Sequence, residues 1–282
     1  MSWIIRESGF DPERIAHHGN KFMIGNGVLG YRGTLEEFGK KELTATIVAG
    51  LYDQVGGKWR EPVNAPNGLD TKVYWNGTRL SVFEAGNVAA GDKAVNSVNV
   101  GRELDHIRVE LVSHEQSLDL RQAVHRRRSV FRTADGGEVA ITAERFCSAA
   151  RTELIVCRFT VESSRDGELT IVTGINGDVW DINGPHLVRM ESDVDGAEGG
   201  AAWEVVSLSA STQELGLPIT VAEAAEVASG GEHEVLRKDL SIRRRFHVHC
   251  RAGEPVVLEK TVAVAAGLEG ETADEGRAAA IQ

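Results

Sequence analysis

The sequence predicts a mostly β protein, a large antiparallel β-sandwich with few short helices. Three observations carry that prediction: long stretches of period-two alternation, glycine-bearing turns between them, and little helical periodicity. The clearest alternation runs over residues 240–250. Leu240, Ile242, Arg244, Phe246, Val248 and Cys250 fall on one side of an extended chain, and Ser241, Arg243, Arg245, His247 and His249 on the other. Successive side chains of a strand point to opposite faces, so the pattern marks a strand with one buried and one wetter face. Residues 107–112, 138–141, 154–161, 169–175 and 256–264 read the same way. Arg244 lies on the apolar side and is expected to pair with an acid or to snorkel outward.

Turn chemistry separates these runs. Asn76-Gly77 stands between residues 73–75 and 80–83, and a two-residue hairpin turn needs positive φ at both centres, so two strands are expected there. Asp135-Gly136-Gly137 joins 129–132 to 138–141, and Asp166-Gly167 serves the next connection. Helical signals are confined to two places. Asp11 followed by Pro12 reads as an N-cap with proline at the first helical position. Thr272 and Glu275 have capping-box spacing, so a helix is expected to begin there. Many short strands with tight turns imply two packed antiparallel sheets, larger than an immunoglobulin domain. Residues 53–72 hold Gly56, Gly57, Pro62, Pro66 and Gly68 and show neither period. A connection of that length without secondary structure is usually functional, so it is read as a long loop leaving the sandwich.

The bulk properties narrow the chemistry. A net charge of -11 over 282 residues repels phosphate backbones, which argues against nucleic acid as a partner and leaves neutral, sugar-like ligands open. Three cysteines, Cys147, Cys157 and Cys250, are an odd and sparse set that gives no disulfide framework. The opening residues lack a basic stretch followed by an apolar one, and no apolar run approaches the ~20 residues that span a bilayer. A cytoplasmic protein without a membrane partner is expected.

Each motif with a chemical reading has a plainer one beside it. Gly25-Asn26-Gly27-Val28-Leu29-Gly30 has the spacing of a dinucleotide fingerprint, but that site needs a helix opening at its glycines. Tyr31-Arg32-Gly33-Thr34 follows instead, so Gly25, Asn26, Gly27, Gly30, Arg32 and Gly33 are read as a structural, glycine-rich turn. Arg32 would supply its five N–H groups to crowded carbonyls. His247 and His249, two apart on one strand face, could hold a metal, but no third ligand is evident beyond His125 and His233, so no metal is expected. The basic runs His125-Arg126-Arg127-Arg128 and Arg243-Arg244-Arg245 are read as solvated strand or turn faces in an acidic protein. Asp178 and Asp181 could be a glycosidase carboxylate pair, but aspartate beside glycine and asparagine is turn chemistry first. No Gly-x-Ser-x-Gly, P-loop or Cys-x-x-Cys occurs, and Asn76-Gly77-Thr78 is a turn more than a glycosylation site.

Seven segments in order carry a more specific resemblance. Residues 22–37 (Phe-Met-Ile-Gly-Asn-Gly-Val-Leu-Gly-Tyr-Arg-Gly-Thr-Leu-Glu-Glu) resemble the opening signature of glycoside hydrolase family 65. Ile47 to Asp53, then Val63-Asn64-Ala65-Pro66-Asn67, then Leu118-Asp119-Leu120-Arg121 resemble its next blocks. Glu144-Arg145-Phe146, the 154–158 run and the 175–179 run follow in the family's order. The resemblance implies a galactose-mutarotase-like super-sandwich over 1–268 and, over 269–282, the start of a linker helix toward an (α/α)6 catalytic barrel that lies outside this sequence. It implies an enzyme that cleaves an α-linked glucoside such as maltose, trehalose or kojibiose by inverting phosphorolysis or by hydrolysis. A glutamic acid in the barrel would protonate the glycosidic oxygen while inorganic phosphate, the co-substrate, attacks the anomeric carbon. No catalytic residue maps onto this sequence, no cofactor is implied, and this piece alone is expected to be inactive. Its partners would be its own barrel, the disaccharide and, in any assembly, a second copy in a homodimer. Trp59, Asn64 and Asn67 are the expected sugar contacts of the 53–72 loop, since sugars are gripped by aromatic faces and amides. The sequence departs from the family's pattern at His17-His18-Gly19 and at Gly68, where an aromatic residue often stands. The competing readings are a free-standing carbohydrate-binding module and an aldose-mutarotase-type enzyme.

Overall fold

The computed structural model describes residues 2–89, 109–195, 204–230 and 232–267. The expected helix at Thr272–Glu275 and the boundary at 268 lie outside the described residues, as do the first two positions of the expected 107–112 strand. In chain order the strands are β1 (Ile4–Ser8), β2 (Ile24–Gly25), β3 (Leu29–Tyr31), β4 (Thr46–Asp53), β5 (Glu61–Asn64), β6 (Asn67–Trp75), β7 (Thr78–Leu80), β8 (Glu110–Asp119) and β9 (Val124–Arg132). They continue with β10 (Glu138–Cys147), β11 (Leu154–Ser163), β12 (Gly167–Asn176), β13 (Leu187–Asp195), β14 (Val205–Thr212), β15 (Pro218–Val227), β16 (His233–Lys238), β17 (Ser241–Cys250) and β18 (Val256–Ala266). Among the described residues two α-helices accompany them, α1 (Ile15–Lys21) and α2 (Val82–Ala89).

The strands form three sheets. Nine run in the order β1-β8-β9-β10-β11-β18-β15-β14-β13, five in the order β16-β17-β12-β6-β7, and four in the order β2-β3-β4-β5. Every pairing is antiparallel, and the expected mostly β sandwich with few helices is what the chain builds. Two large apolar cores and a small third cluster at Ala222 and Ala263 fill it. Phe131, Ile141, Phe159, Ile171, Phe246 and Leu258 belong to one, and Tyr31, Leu69, Ile155, Val221, Ile242 and Val262 to the other, beneath the small sheet. β17 shows the predicted alternation: Ile242, Arg244, Phe246 and Cys250 are buried, while His247 and His249 face solvent.

Local chemistry sets the boundaries. Asp11 accepts the Glu13 amide at 2.9 Å and opens the turn before α1. Asn76 (φ 47°) and Gly77 (φ 79°) close the β6–β7 hairpin, with Trp75 opposite Thr78. The hairpin is shorter than expected, because residues 80–83 are not one strand: β7 ends at Leu80 and α2 starts at Val82. The reason is non-local. The Glu37 carboxylate accepts the Val82 amide at 2.8 Å, satisfying a donor that a helix start leaves open.

Residues 53–72 also differ from expectation. They are not a structureless loop: β5 pairs with β4, and β6 is a central strand of the five-stranded sheet. Gly68 is where it is because a Cβ there would come within 2.3 Å of the Val262 side chain, so this strand packs against the neighbouring sheet without room for any side chain. The basic runs are corrected too. His125, Arg127 and Arg244 are buried, and only their neighbours face water.

Candidate functional site

The glycine-rich signature is a strand–turn–strand unit, with no helix opening at its glycines. Asn26 organises it. Its Oδ1 accepts the Val28 and Leu29 amides at 3.0 and 2.8 Å, and its Nδ2 donates to the Ser148 and Thr152 carbonyls at 2.6 and 2.9 Å. Gly27 has φ 92°, which favours glycine. A Cβ on Gly33 would stand 2.5 Å from Phe22. Arg32 donates from Nη1 to the Leu43 carbonyl at 3.0 Å, from Nη2 to the Ala16 carbonyl at 2.9 Å and from Nε to Asn20 Oδ1 at 3.2 Å.

The same segment sends Glu36 into the interior. Arg127 Nε donates to it at 2.9 Å, Arg145 Nη1 donates to its other oxygen, and Arg145 Nη2 donates to the Thr34 carbonyl at 2.6 Å. Arg127 also reaches Glu37 at 3.3 Å. Burial works against the charged Glu36, yet the Arg145 and Arg127 guanidinium groups together hold its carboxyl below the usual range. Sequence reading missed this network. Its signals were two glutamates inside the apolar run from Leu35 to Phe38, and arginines at the inward phase of β9 and β10.

A different arrangement lies at the end of the four-stranded sheet. Three segments meet there: the β4–β5 connection (54–60), the stretch 177–186 and the turn 213–217. Asp53, fully buried, accepts the Glu214 and Leu215 amides at 3.1 and 3.2 Å. His186, also fully buried, places Nε2 2.8 Å from Glu61 and Nδ1 3.5 Å from Asp53. Asp181 accepts the amides of Asn64 and His186, each at 3.2 Å; burial raises its pKa and those two amides oppose the shift. Glu61 Oε2, Asn64 Oδ1, Trp180 Nε1 and His186 Nδ1 have no hydrogen-bond partner. An imidazole flanked by carboxylates can shuttle protons, but this one is fully buried. It ties the three segments together.

Above that knot the surface is apolar. Tyr52, Trp59, Ile182 and Leu215 are exposed, with Trp59 at 59% and Ile182 at 66%. Lys58 Nζ donates to the Asn183 carbonyl at 2.6 Å, and Asn183 Nδ2 to the Trp59 carbonyl at 3.2 Å, which fixes the tryptophan-bearing segment. Beside it a groove of about 390 Å³ is walled by Leu51, Tyr52, Arg60, Leu215 and the end of β18 at Ala266–Gly267. Of the three expected sugar contacts, Trp59 alone faces outward. Asn64 is buried with its Nδ2 donating to the Trp180 carbonyl, and Asn67 is buried with its Oδ1 accepting the Leu69 amide at 3.0 Å. Asp178 is exposed and paired with Lys40, apart from Asp181's buried contacts. His247 and His249 sit beside Thr170 and Glu168, and among the described residues no group of three His, Cys, Asp or Glu could hold a metal ion. None of the helices among the described residues is long and apolar enough to cross a membrane.

Fold and site together define a large β-sandwich domain that presents an apolar rim beside the end of β18, the last described strand. Comparison with known proteins makes this specific. Residues 5–282 match the model of glycosyl hydrolase family 65, N-terminal domain, and the chain belongs to that family. It is 31% identical to a nigerose phosphorylase of Lachnoclostridium phytofermentans, over 94% of this chain and 34% of that protein. It is 30% identical to a 1,2-alpha-glucosylglycerol phosphorylase of Bacillus selenitireducens, over 93% of this chain and 30% of the relative. A solved structure from human microbiome, assigned as a kojibiose phosphorylase, shares the fold with a TM-score of 0.77 at 14% identity, over 99% of this chain and 34% of that one. The chain thus spans about a third of the length of the relatives it matches.

Proposed function

We propose that this chain serves as the non-catalytic amino-terminal sandwich of an enzyme that cleaves an α-linked glucoside by phosphorolysis, with inorganic phosphate as co-substrate and no other cofactor. The observation that carries the reading is the pair of coverages: nearly the whole chain aligns, but only with 30–34% of named phosphorylases. The general acid then belongs to the two-thirds of such a protein that this chain does not match. The structure fits that division of labour, since the acids and histidine of the rim are buried and mutually engaged. The apolar rim is the surface for the enzyme's catalytic domain, with the groove at Ala266–Gly267 where the polypeptide leaves β18. Trp59 is the proposed sugar contact, supported by its exposure, whereas Asn64 and Asn67 are buried and bonded to the Trp180 carbonyl and the Leu69 amide. A cytoplasmic location accords with the use of phosphate and with three free cysteines.

The test is an assay of this chain with nigerose, kojibiose, maltose, trehalose and 2-O-α-glucosylglycerol, with and without phosphate. No glucose 1-phosphate and no glucose are expected. Turnover above background with any of them overturns the non-catalytic assignment.

A further inference from the structure

We propose that the outer face of the five-stranded sheet binds an anionic oligosaccharide, one whose sugar units carry carboxylate or phosphate groups. This stands on the chain by itself and does not depend on the reading above. The register builds the face. Tyr74, Thr170 and His247 lie opposite one another across β6, β12 and β17. Lys72, Val172, Arg245 and Glu234 form the next row, and Asp70, Gly174, Arg243 and Leu236 the one after. Directly opposed residues share one side of a sheet. The other side, with Val73, Ile171 and Phe246, is core, so these rows face outward. Of these rows, Lys72, Tyr74, Thr170, Val172, Leu236, Arg243, Arg245 and His247 line a broad depression of about 960 Å³. Across β6, β12, β17 and β16 it is roughly 14 Å wide, three strand spacings, which suits a short chain of sugars.

Its charge is opposite to that of the molecule. The chain carries -11 overall, yet this depression is lined by Lys72, Arg237, Lys238, Arg243 and Arg245, with no acidic residue among its lining. Asp70, buried beneath, holds Lys72 at 2.9 Å and Arg243 at 2.6 Å. Glu234 meets Arg245 at 2.5 Å, and Asp193 lies 4.0 Å from Arg237. Five cations therefore face three acids, and the surplus is concentrated in one concavity, where low-dielectric walls focus the field on an incoming anion. Asp70 also fixes two of the cations in place, so little side-chain freedom is lost when they meet a ligand. Tyr74 offers a ring for a sugar to lie against, and the Thr170–His247 pair, 3.2 Å apart, offers a hydroxyl and an imidazole to sugar hydroxyls. A long polyanion suits the site less well, because the chain's net charge of -11 repels whatever extends beyond the depression.

The experiment is calorimetric titration of the chain with a hexagalacturonate, a phosphorylated maltohexaose, neutral maltohexaose and inorganic tripolyphosphate. A Kd tighter than about 1 mM is expected for at least one of the two anionic oligosaccharides, weakening as salt is raised. Which of the two is preferred separates carboxylate from phosphate recognition. Lys238→Glu with Arg245→Glu is expected to weaken binding at least tenfold with the melting temperature unchanged. Tyr74→Ala is expected to weaken the oligosaccharides severalfold. Failure of both anionic oligosaccharides to bind overturns the proposal. So does maltohexaose binding equally well, tripolyphosphate matching the oligosaccharides, or indifference of binding to all three substitutions.

Discussion

Two of the regions in which this domain buries charge do so in opposite ways. Around Glu36 two guanidinium groups meet two carboxylates, Arg145 lies 4.9 Å above the Tyr31 ring, and Arg127 bonds Ser129 as well as both glutamates. Around His186 the Asp53 and Glu61 carboxylates flank one imidazole, and the Asp181 carboxylate accepts the His186 backbone amide. The first is near charge balance and lies between the main sheets, beneath the signature that identifies the family. The second is acid-rich and lies under a rim of exposed aromatic and aliphatic side chains. A balanced network locks the framework. The acid-rich one has a single imidazole to offset its carboxylates.

The comparison can be broken most sharply at Glu36. Glu36→Ala leaves Arg127 and Arg145 buried without their shared partner and is expected to destabilise the chain by on the order of 3–5 kcal/mol. Urea denaturation measures it, and a loss under about 1 kcal/mol would mean that the network is not the framework.

Acid is the next lever. Burial, helped by Arg127, lowers the pKa of His114 to about 3, and burial, helped by Arg145, holds His125 well below its ordinary value. Both folded-state values lie below the unfolded one of about 6.5. The unfolded chain therefore takes up protons that the folded chain refuses, and stability falls as pH drops below about 6.5. The slope is roughly 1.4 kcal/mol per pH unit for each histidine, until the folded imidazole itself titrates. Denaturation midpoints at pH 7.5 and 5.5 should differ accordingly, and His114→Gln should flatten the slope.

In the acid-rich region Glu61→Gln keeps an oxygen for the Asn183 amide and removes one of three negative charges. Its effect on the midpoint should stay within about 1.5 kcal/mol; a loss as large as that at Glu36 would erase the distinction between the two regions. The smallest effect is expected at the rim. Trp59→Ala should move the midpoint of this chain by no more than about 0.5 kcal/mol, as for exposed positions generally. In the intact enzyme it should lower kcat/KM, and unchanged kinetics would remove Trp59 from the sugar side.

Much of the fold was legible in the residues, because strands that bury one face write that fact as alternation. Residues 240–250 and the Asn76-Gly77 turn are where it is plainest. β6 was illegible for a physical reason. Asn67, Gly68, Asp70 and Thr71 look like a loop, but each is buried and either bonded or, at Gly68, pressed against Val262. The helix at Val82 depends on a carboxylate 45 residues earlier, and no local window contains it. The inward arginines were visible as periodicity at Arg244 and hidden in the run from His125 to Arg128, where charge density suggested water. The rim was legible only as a family block. Its exposed side chains come from segments far apart in the sequence, and their convergence is a property of the fold.

The order of the nine-stranded sheet has a consequence for how the domain is made. β18, the last described strand, is inserted between β11 and β15, in the interior of the sheet. While the polypeptide is being synthesised, everything up to β17 can emerge and still leave two half-sheets, each with an open edge. Those edges present unpaired amides and carbonyls from β11 and β15, the kind of template that recruits other chains. Release of residues 256–266 is thus the closing stroke of assembly, and a ribosome stalled upstream of it would hold a nascent chain primed for aggregation.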